Sequence, residues 1–205
     1  MKKIWLLSLF LLGSFCLTWC NGDLNGAEKQ VDTSLEIANL SWNQQEEISE
    51  NTEKALVLVF SPTGNTKKIA SFISEITDAD LTEILPMIPY TEEDLNYNVK
   101  DSRANNEQND SQVRPEIATE ISLEGYDKIY LGYPIWWWTN PKIILTLIEK
   151  YDFSGKEIVL FCTSWSSGIG TSESALKEKG LKIIGSKRFA QGATKEEVQE
   201  WIENL

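Results

Sequence analysis

The sequence predicts an α/β protein built on a doubly wound, five-stranded parallel sheet. Two observations carry this. Short apolar runs alternate along the chain with segments of helical periodicity, the pattern of a parallel sheet covered on both faces. The runs are apolar nearly throughout, as strands buried on both sides must be.

The elements follow in order. The first strand is Ala55–Phe60 (Ala-Leu-Val-Leu-Val-Phe), followed by a helix from about Thr66 to Ile76. A second strand is expected over Asp80–Leu85, stopped by Pro86. Residues 91–111 are strongly polar; Leu95 and Val99 give a partial helical signal that dissolves into the Asn-rich stretch 105–110. The third strand is Lys128–Gly132, with a helix after Pro141 running through Ile148. Glu157–Cys162 is the fourth strand and Ser172–Lys179 the helix after it. Leu181–Gly185 is the fifth strand. The last helix starts near Thr194, where Glu197 suits a capping box, and buries Val198, Trp201 and Ile202.

Composition bounds the rest. The chain has 205 residues, 41% hydrophobic, enough for one domain of about 150 residues plus an N-terminal extension. That extension opens with Met1-Lys2-Lys3 and an apolar run from Ile4 to Leu17. The run is too short to span a bilayer and reads as a secretory signal over residues 1–20. Cys20, in Leu17-Thr18-Trp19-Cys20, is similar to the lipidated cysteine of a bacterial lipobox, although Trp19 is bulkier than the small residue usual there. Two readings stay open: a lipid anchor at Cys20, or plain secretion after cleavage nearby. Residues 21–53, rich in Asn, Asp, Glu and Gln, read as a polar, flexible tether to a domain over 54–205. With Cys16 lost alongside the signal, Cys162 has no evident disulfide partner; at the end of a buried strand, it is expected to pack inertly.

The net charge of −12 argues against nucleic acid, which needs a basic stripe. The sequence has no histidine, which removes the commonest metal ligand and general base, so neither a zinc site nor a Ser-His-Asp triad is expected.

The chemistry-bearing motif is Ser61-Pro62-Thr63-Gly64-Asn65-Thr66, between the first strand and its helix. Free backbone N–H groups and the positive end of the helix dipole meet there and favour an anion. Ser61, Thr63 and Thr66 add hydroxyls, Asn65 adds an amide, and Gly64 permits close backbone approach. A phosphate monoester is the expected guest; a simple helix cap is the alternative. The motif lacks the Gly-Lys-Ser/Thr of a P-loop. It has no cysteine, and Ser61 has no histidine to activate it. Lys67 and Lys68, just past the loop, are expected to be solvated rather than to bind phosphate.

Ligands of such sheets bind beyond the carboxyl ends of the strands. After the third strand comes Tyr133-Pro134-Ile135-Trp136-Trp137-Trp138-Thr139-Asn140-Pro141. Three consecutive Trp cannot all face a core, so at least one is near the surface, stacked on a flat ligand or presented to a protein partner. After the fourth strand comes Cys162-Thr163-Ser164-Trp165-Ser166-Ser167-Gly168-Ile169-Gly170, whose small residues would let backbone N–H groups reach a ligand.

The first loop resembles the FMN phosphate loop of flavodoxins. The second is similar to the Tyr-Pro-Ile-Trp-Trp-Gly segment of bacterial flavodoxin-like proteins, and the third to their Thr-Ser-Gly-Gly-Ser-Gly-Ile-Gly segment. The resemblance covers about Lys54 to Leu205. It also takes in Pro89-Tyr90-Thr91, Arg114-Pro115-Glu116-Ile117 and the last helix. It implies a flavodoxin-like fold with strand order 2-1-3-4-5 and FMN as cofactor. Ser61, Thr63, Gly64, Asn65 and Thr66 would hold the phosphate. Pro134, Ile135, Trp136, Trp137 and Trp138 would line the isoalloxazine ring. Thr163, Ser164, Trp165, Ser166 and Gly168 would hold its polar edge. With the signal segment and the acidic charge, the expected activity is electron transfer outside the cytoplasm with a redox partner of basic docking surface. An FMN-dependent NAD(P)H:quinone-type reductase is a second reading, and a binding module that has lost FMN a third. Two departures matter. Trp138 stands where the family usually has Gly; it is expected to resist positive φ and to hinder the peptide flip that serves a half-reduced flavin. Trp165-Ser166 replaces Gly-Gly, so Trp165 would either wall the flavin or fill its site.

Overall fold

Residues 54–205 are described in the computed structural model of the protein. The expected signal segment, the tether and Cys20 lie outside the described residues.

Five parallel strands, β1 (Ala55–Val59), β2 (Asp80–Glu83), β3 (Lys128–Pro134), β4 (Glu157–Thr163) and β5 (Lys182–Phe189), pair in the order β2-β1-β3-β4-β5. The expected order is therefore the observed one. Alternation along β1 splits the core. Leu56, Leu58 and Phe60 face a cluster with Ile143, Ile144 and Leu147, on α3 (Lys142–Lys150), and Leu176, on α4 (Gly170–Glu178). Val57 and Val59 face the opposite cluster with Ile69, Ala70 and Ile73, on α1 (Asn65–Thr77), and Val198, on α5 (Lys195–Glu203). Thr194 caps α5, its Oγ1 accepting from the Glu197 N–H at 3.3 Å. Gly132 makes room across β3 and β4: a Cβ there would stand 2.1 Å from the Phe161 ring.

The sheet differs from expectation at its ends. β3 continues to Pro134, tolerated at a strand terminus because proline lacks only the N–H. β5 continues through Ser186, Lys187 and Arg188; polar residues of this kind are usual on an edge strand and hide it from an apolar scan.

The largest correction falls between β2 and β3. The helical signal at Leu95 and Val99 yields only turns, whereas the Asn-rich stretch forms α2 (Arg103–Asn109). Polar side chains build it. Asn105 Nδ2 donates to the Tyr97 and Val99 carbonyls at 3.1 and 2.6 Å. Arg103 Nε donates to Glu107 Oε1 at 2.7 Å, and the Tyr90 hydroxyl donates to Glu107 Oε2. The segment leaves and returns beside β2 through an antiparallel bridge, Pro86 to Ile117. Its return is fastened to α3 by the bidentate Arg114–Glu149 pair at 2.7 and 2.9 Å. Among the described residues, no helix is long and apolar enough to cross a membrane.

Candidate functional site

The strand order reverses between β1 and β3, and the loops after β1, β3 and β4 all leave the carboxyl edge of the sheet around that point.

In the first loop, Gly64 sits at φ 81°, a left-handed conformation that glycine adopts without strain. Its N–H donates to the Ser61 carbonyl at 3.2 Å, closing the turn. Ser61 Oγ accepts from the Lys67 N–H at 3.0 Å. The amides of Asn65 and Thr66 open α1 and have no acceptor among the described residues. Asn65 Nδ2 donates to Thr63 Oγ1 at 3.1 Å, which holds both side chains together. The buried hydroxyls of Thr66 and Thr163 meet at 2.7 Å and tie this loop to the end of β4.

The donor set fits a phosphate monoester. Of the two O–H hydrogens in the Thr66–Thr163 pair, only one is accepted within the pair, leaving a second for an outside acceptor. The helix N-terminus supplies amides and a partial positive charge. Both lysines just past the loop have partners outside this set. Lys67 pairs with Glu83 at 2.5 Å, and Lys68 reaches the Ala193 carbonyl at 3.4 Å.

The second loop holds the main surprise. Trp136 and Thr139 exchange both backbone hydrogen bonds, at 2.9 and 3.0 Å, so Trp137 and Trp138 form a two-residue turn. Both have positive φ, 47° and 63°, the pattern of a type I′ turn normally made by Asn-Gly. The expectation that Trp138 resists positive φ is overturned. Each such residue costs about 1–3 kcal/mol and persists only where surrounding structure imposes it. Here Gln108 Nε2 donates to the Trp136 and Asn140 carbonyls, at 2.9 and 3.3 Å. Asn140 is itself anchored: Ser172 Oγ donates to its Oδ1 at 3.2 Å and meets the buried Tyr133 hydroxyl at 2.9 Å. Trp136 packs edge-to-face on Phe60 and Tyr90, with ring centroids 5.6 and 5.4 Å away. Trp138 is 68% exposed.

The third loop is set by Arg188, whose Nη1 donates to the Ser164 and Trp165 carbonyls at 2.8 and 3.2 Å. Ser164 Oγ donates to the Ser167 carbonyl. Trp165 is 89% exposed and does not fill the site. Cys162, just beneath, is fully buried, and burial pushes its thiol up to about 12, so it is an inert packing group.

Two adjoining cavities lie between the loops. One, of 260 Å³, runs from Thr63 and Asn65 past Pro134 and Thr163 to Ser164. The other, of 560 Å³, is lined by Trp137, Trp138, Leu95, Tyr97 and Ala104. Ile135, Trp136, Trp165, Ser166 and Ser167 border both. The structure thus brings together most of the predicted residues. Thr66 lies buried below, and Ser61, Gly64 and Gly168 belong to the loops but line neither cavity. Sequence reasoning missed Leu95, Tyr97, Ala104, Gln108, Arg188 and Gln191; they come from the polar segment and from β5 and its exit, where no local pattern marks them. Tyr90 falls in a segment that the resemblance singled out.

The flavodoxin family profile matches residues 54–205. A candidate flavoprotein of Bacteroides uniformis is 40% identical, with a TM-score of 0.70 over 73% of this chain and 97% of that one. A candidate flavoprotein of Bacteroides eggerthii is 36% identical, with a TM-score of 0.70 over 74% and 97%. A flavoprotein of Lactobacillus acidophilus, solved in complex with FMN, is 30% identical, with a TM-score of 0.59 over 73% and 99%. Flavodoxin 1 of Salmonella typhimurium is 23% identical over 137 residues, 61% of this chain; the chain spans 62% of that relative's length.

Proposed function

The chain belongs to the flavodoxin family, and from that premise we propose that it binds FMN and carries electrons outside the cytoplasm. One observation carries the reading. A phosphate-suited helix N-terminus and an aromatic groove adjoin at the switch point of one sheet, sharing Ile135, Trp136 and the Trp165–Ser167 rim.

FMN supplies reversible electron transfer when bound. The chain's residues hold and shield it. The amides of Asn65 and Thr66, with the hydroxyls of Thr63 and Thr66 and assistance from Ser61, bind the phosphate. Trp136 or Trp137 stacks on the ring. Backbone from Thr163 to Gly168 takes its polar edge, with Arg188 fixing that loop. Trp165 and Trp138 wall the outer side and reduce water access. Stacking and a net charge of −12 both disfavour added negative charge on the ring, so the bound cofactor is a stronger reductant than free FMN. The same charge steers a partner with a basic docking face, at a rate that falls with ionic strength. The N-terminal signal features support an exported location, with the protein held at a membrane through Cys20 or released.

A second reading, an FMN-dependent reductase of quinones or similar planar acceptors, is favoured by the extension of the groove to Leu95, Tyr97 and Ala104. An anaerobic potentiometric titration of the FMN-loaded protein tests the carrier reading. A midpoint below that of free FMN, with negligible NAD(P)H:quinone turnover, supports it. A midpoint at or above the free value, or rapid turnover, rejects it.

A further inference from the structure

We propose that Gln108 is a positioning residue for the flavin site: its amide clamps the Trp137–Trp138 turn in the left-handed shape that forms the ring-side wall of the groove. The inference rests on the FMN reading of that groove but concerns only this chain's residues.

Three observations point to it. First, the two carbonyls that Gln108 Nε2 reaches, on Trp136 and Asn140, bracket the two left-handed residues. The Trp136 carbonyl already accepts the turn-closing bond from Thr139, so Gln108 reinforces the contact that defines the turn. Second, Gln108 Oε1 is buried without a hydrogen-bond partner among the described residues. An amide with an orphaned oxygen is a poor choice for packing alone, since methionine fills similar space without that cost. Third, Gln108 stands on α2, which is braced against the site independently. Arg103 and Glu107 of α2 hold Tyr90, whose ring meets Trp136. The opposite end of the turn is fixed through Asn140, Ser172 and Tyr133. The strained tryptophans are therefore gripped from both sides, and Gln108 is the grip supplied by the β2–β3 connection.

A clamp that holds strain for binding has a signature that ordinary packing lacks. Releasing it relaxes the turn and removes the orphaned oxygen, so the FMN-free protein keeps its stability while the groove loses its preset shape. Packing residues lose stability and binding together.

The test uses the full chain. Gln108→Met is expected to bind FMN about tenfold more weakly, because the groove is no longer preset in its binding shape. Its Tm without FMN should equal or exceed that of the wild type. Its near-ultraviolet circular dichroism should change with the far-ultraviolet spectrum unaltered. Gln108→Asn, which keeps the amide but falls short of both carbonyls, should weaken FMN alike and guards against a folding failure of the first variant. In a Trp138→Gly background, where one of the two strained residues is already relieved, Gln108→Met should cost less than about threefold. Wild-type affinity in both Gln108 variants, or parallel loss of affinity, Tm and far-ultraviolet signal, overturns the proposal. Failure of the wild type to bind FMN defeats the FMN reading instead; the near-ultraviolet comparison needs no flavin and still decides whether Gln108 holds the turn.

Discussion

The Ser61–Thr66 loop and the Trp136–Thr139 turn stand at the same sheet edge and both need left-handed backbone, yet they obtain it in opposite ways. The loop places glycine at its positive φ and closes its turn with neighbours up to six residues away. The turn places two tryptophans at positive φ and is held by Gln108, 28 residues upstream of Trp136. One conformation is local and follows from propensity; the other is imposed by tertiary contacts. The two share a floor, since the Thr66–Thr163 hydroxyl pair links the first loop to the strand beside the turn.

The comparison can be broken most forcefully at that floor. Thr66→Val should weaken FMN about 10- to 100-fold and destabilise the protein by about 1–3 kcal/mol, because Thr163 keeps a buried hydroxyl without its partner. Isothermal titration and denaturant unfolding measure both; an unchanged affinity would remove the phosphate site from this loop. Mirror substitutions come next. Gly64→Ala should cost about 1–2 kcal/mol, since alanine enters left-handed backbone although its Cβ meets nothing within 4 Å. Trp138→Gly should instead add about 0.5–1 kcal/mol, read as a rise in Tm, because the lost side chain is mostly exposed. Changes of the same sign would mean that the two regions are not built differently after all.

This contrast also explains what the sequence could reveal. The parallel sheet and the three loops were legible because apolar strands, a glycine turn and hydroxyl clusters follow local rules; the strand order came from the resemblance of those loops to flavodoxins. α2 was not, since Arg103–Asn109 is helical through side-chain bonds to distant backbone rather than through an apolar stripe. The Trp turn was misread for the same reason: no propensity places Trp-Trp where Asn-Gly belongs. Arg188 escaped notice on a polar edge strand.

Smaller effects sharpen the assignment of charge. Lys67→Ala breaks a surface pair with Glu83 and should leave FMN affinity within about twofold, by fluorescence titration, if neutral donors bind the phosphate. A larger loss would place the ammonium in the site. The pH dependence should be modest and on the acid side. Hydrogen bonds from Lys177 and then Ser186 hold the Glu173 carboxyl below its ordinary 4.5. Its contribution is therefore present above pH 4.5 and fades as pH falls through the lowered folded value. Glu173→Gln should flatten that part of the unfolding profile, while a profile identical to wild type would assign the acid limb to other carboxylates.

The most direct measurement is the visible spectrum of the protein during an FMN titration, followed alongside tryptophan fluorescence. The account predicts stoichiometric binding, a perturbed flavin band and quenching of the indole emission as the ring settles against Trp136 or Trp137. A flavin spectrum identical to free FMN, with unquenched tryptophan at micromolar FMN, would contradict it.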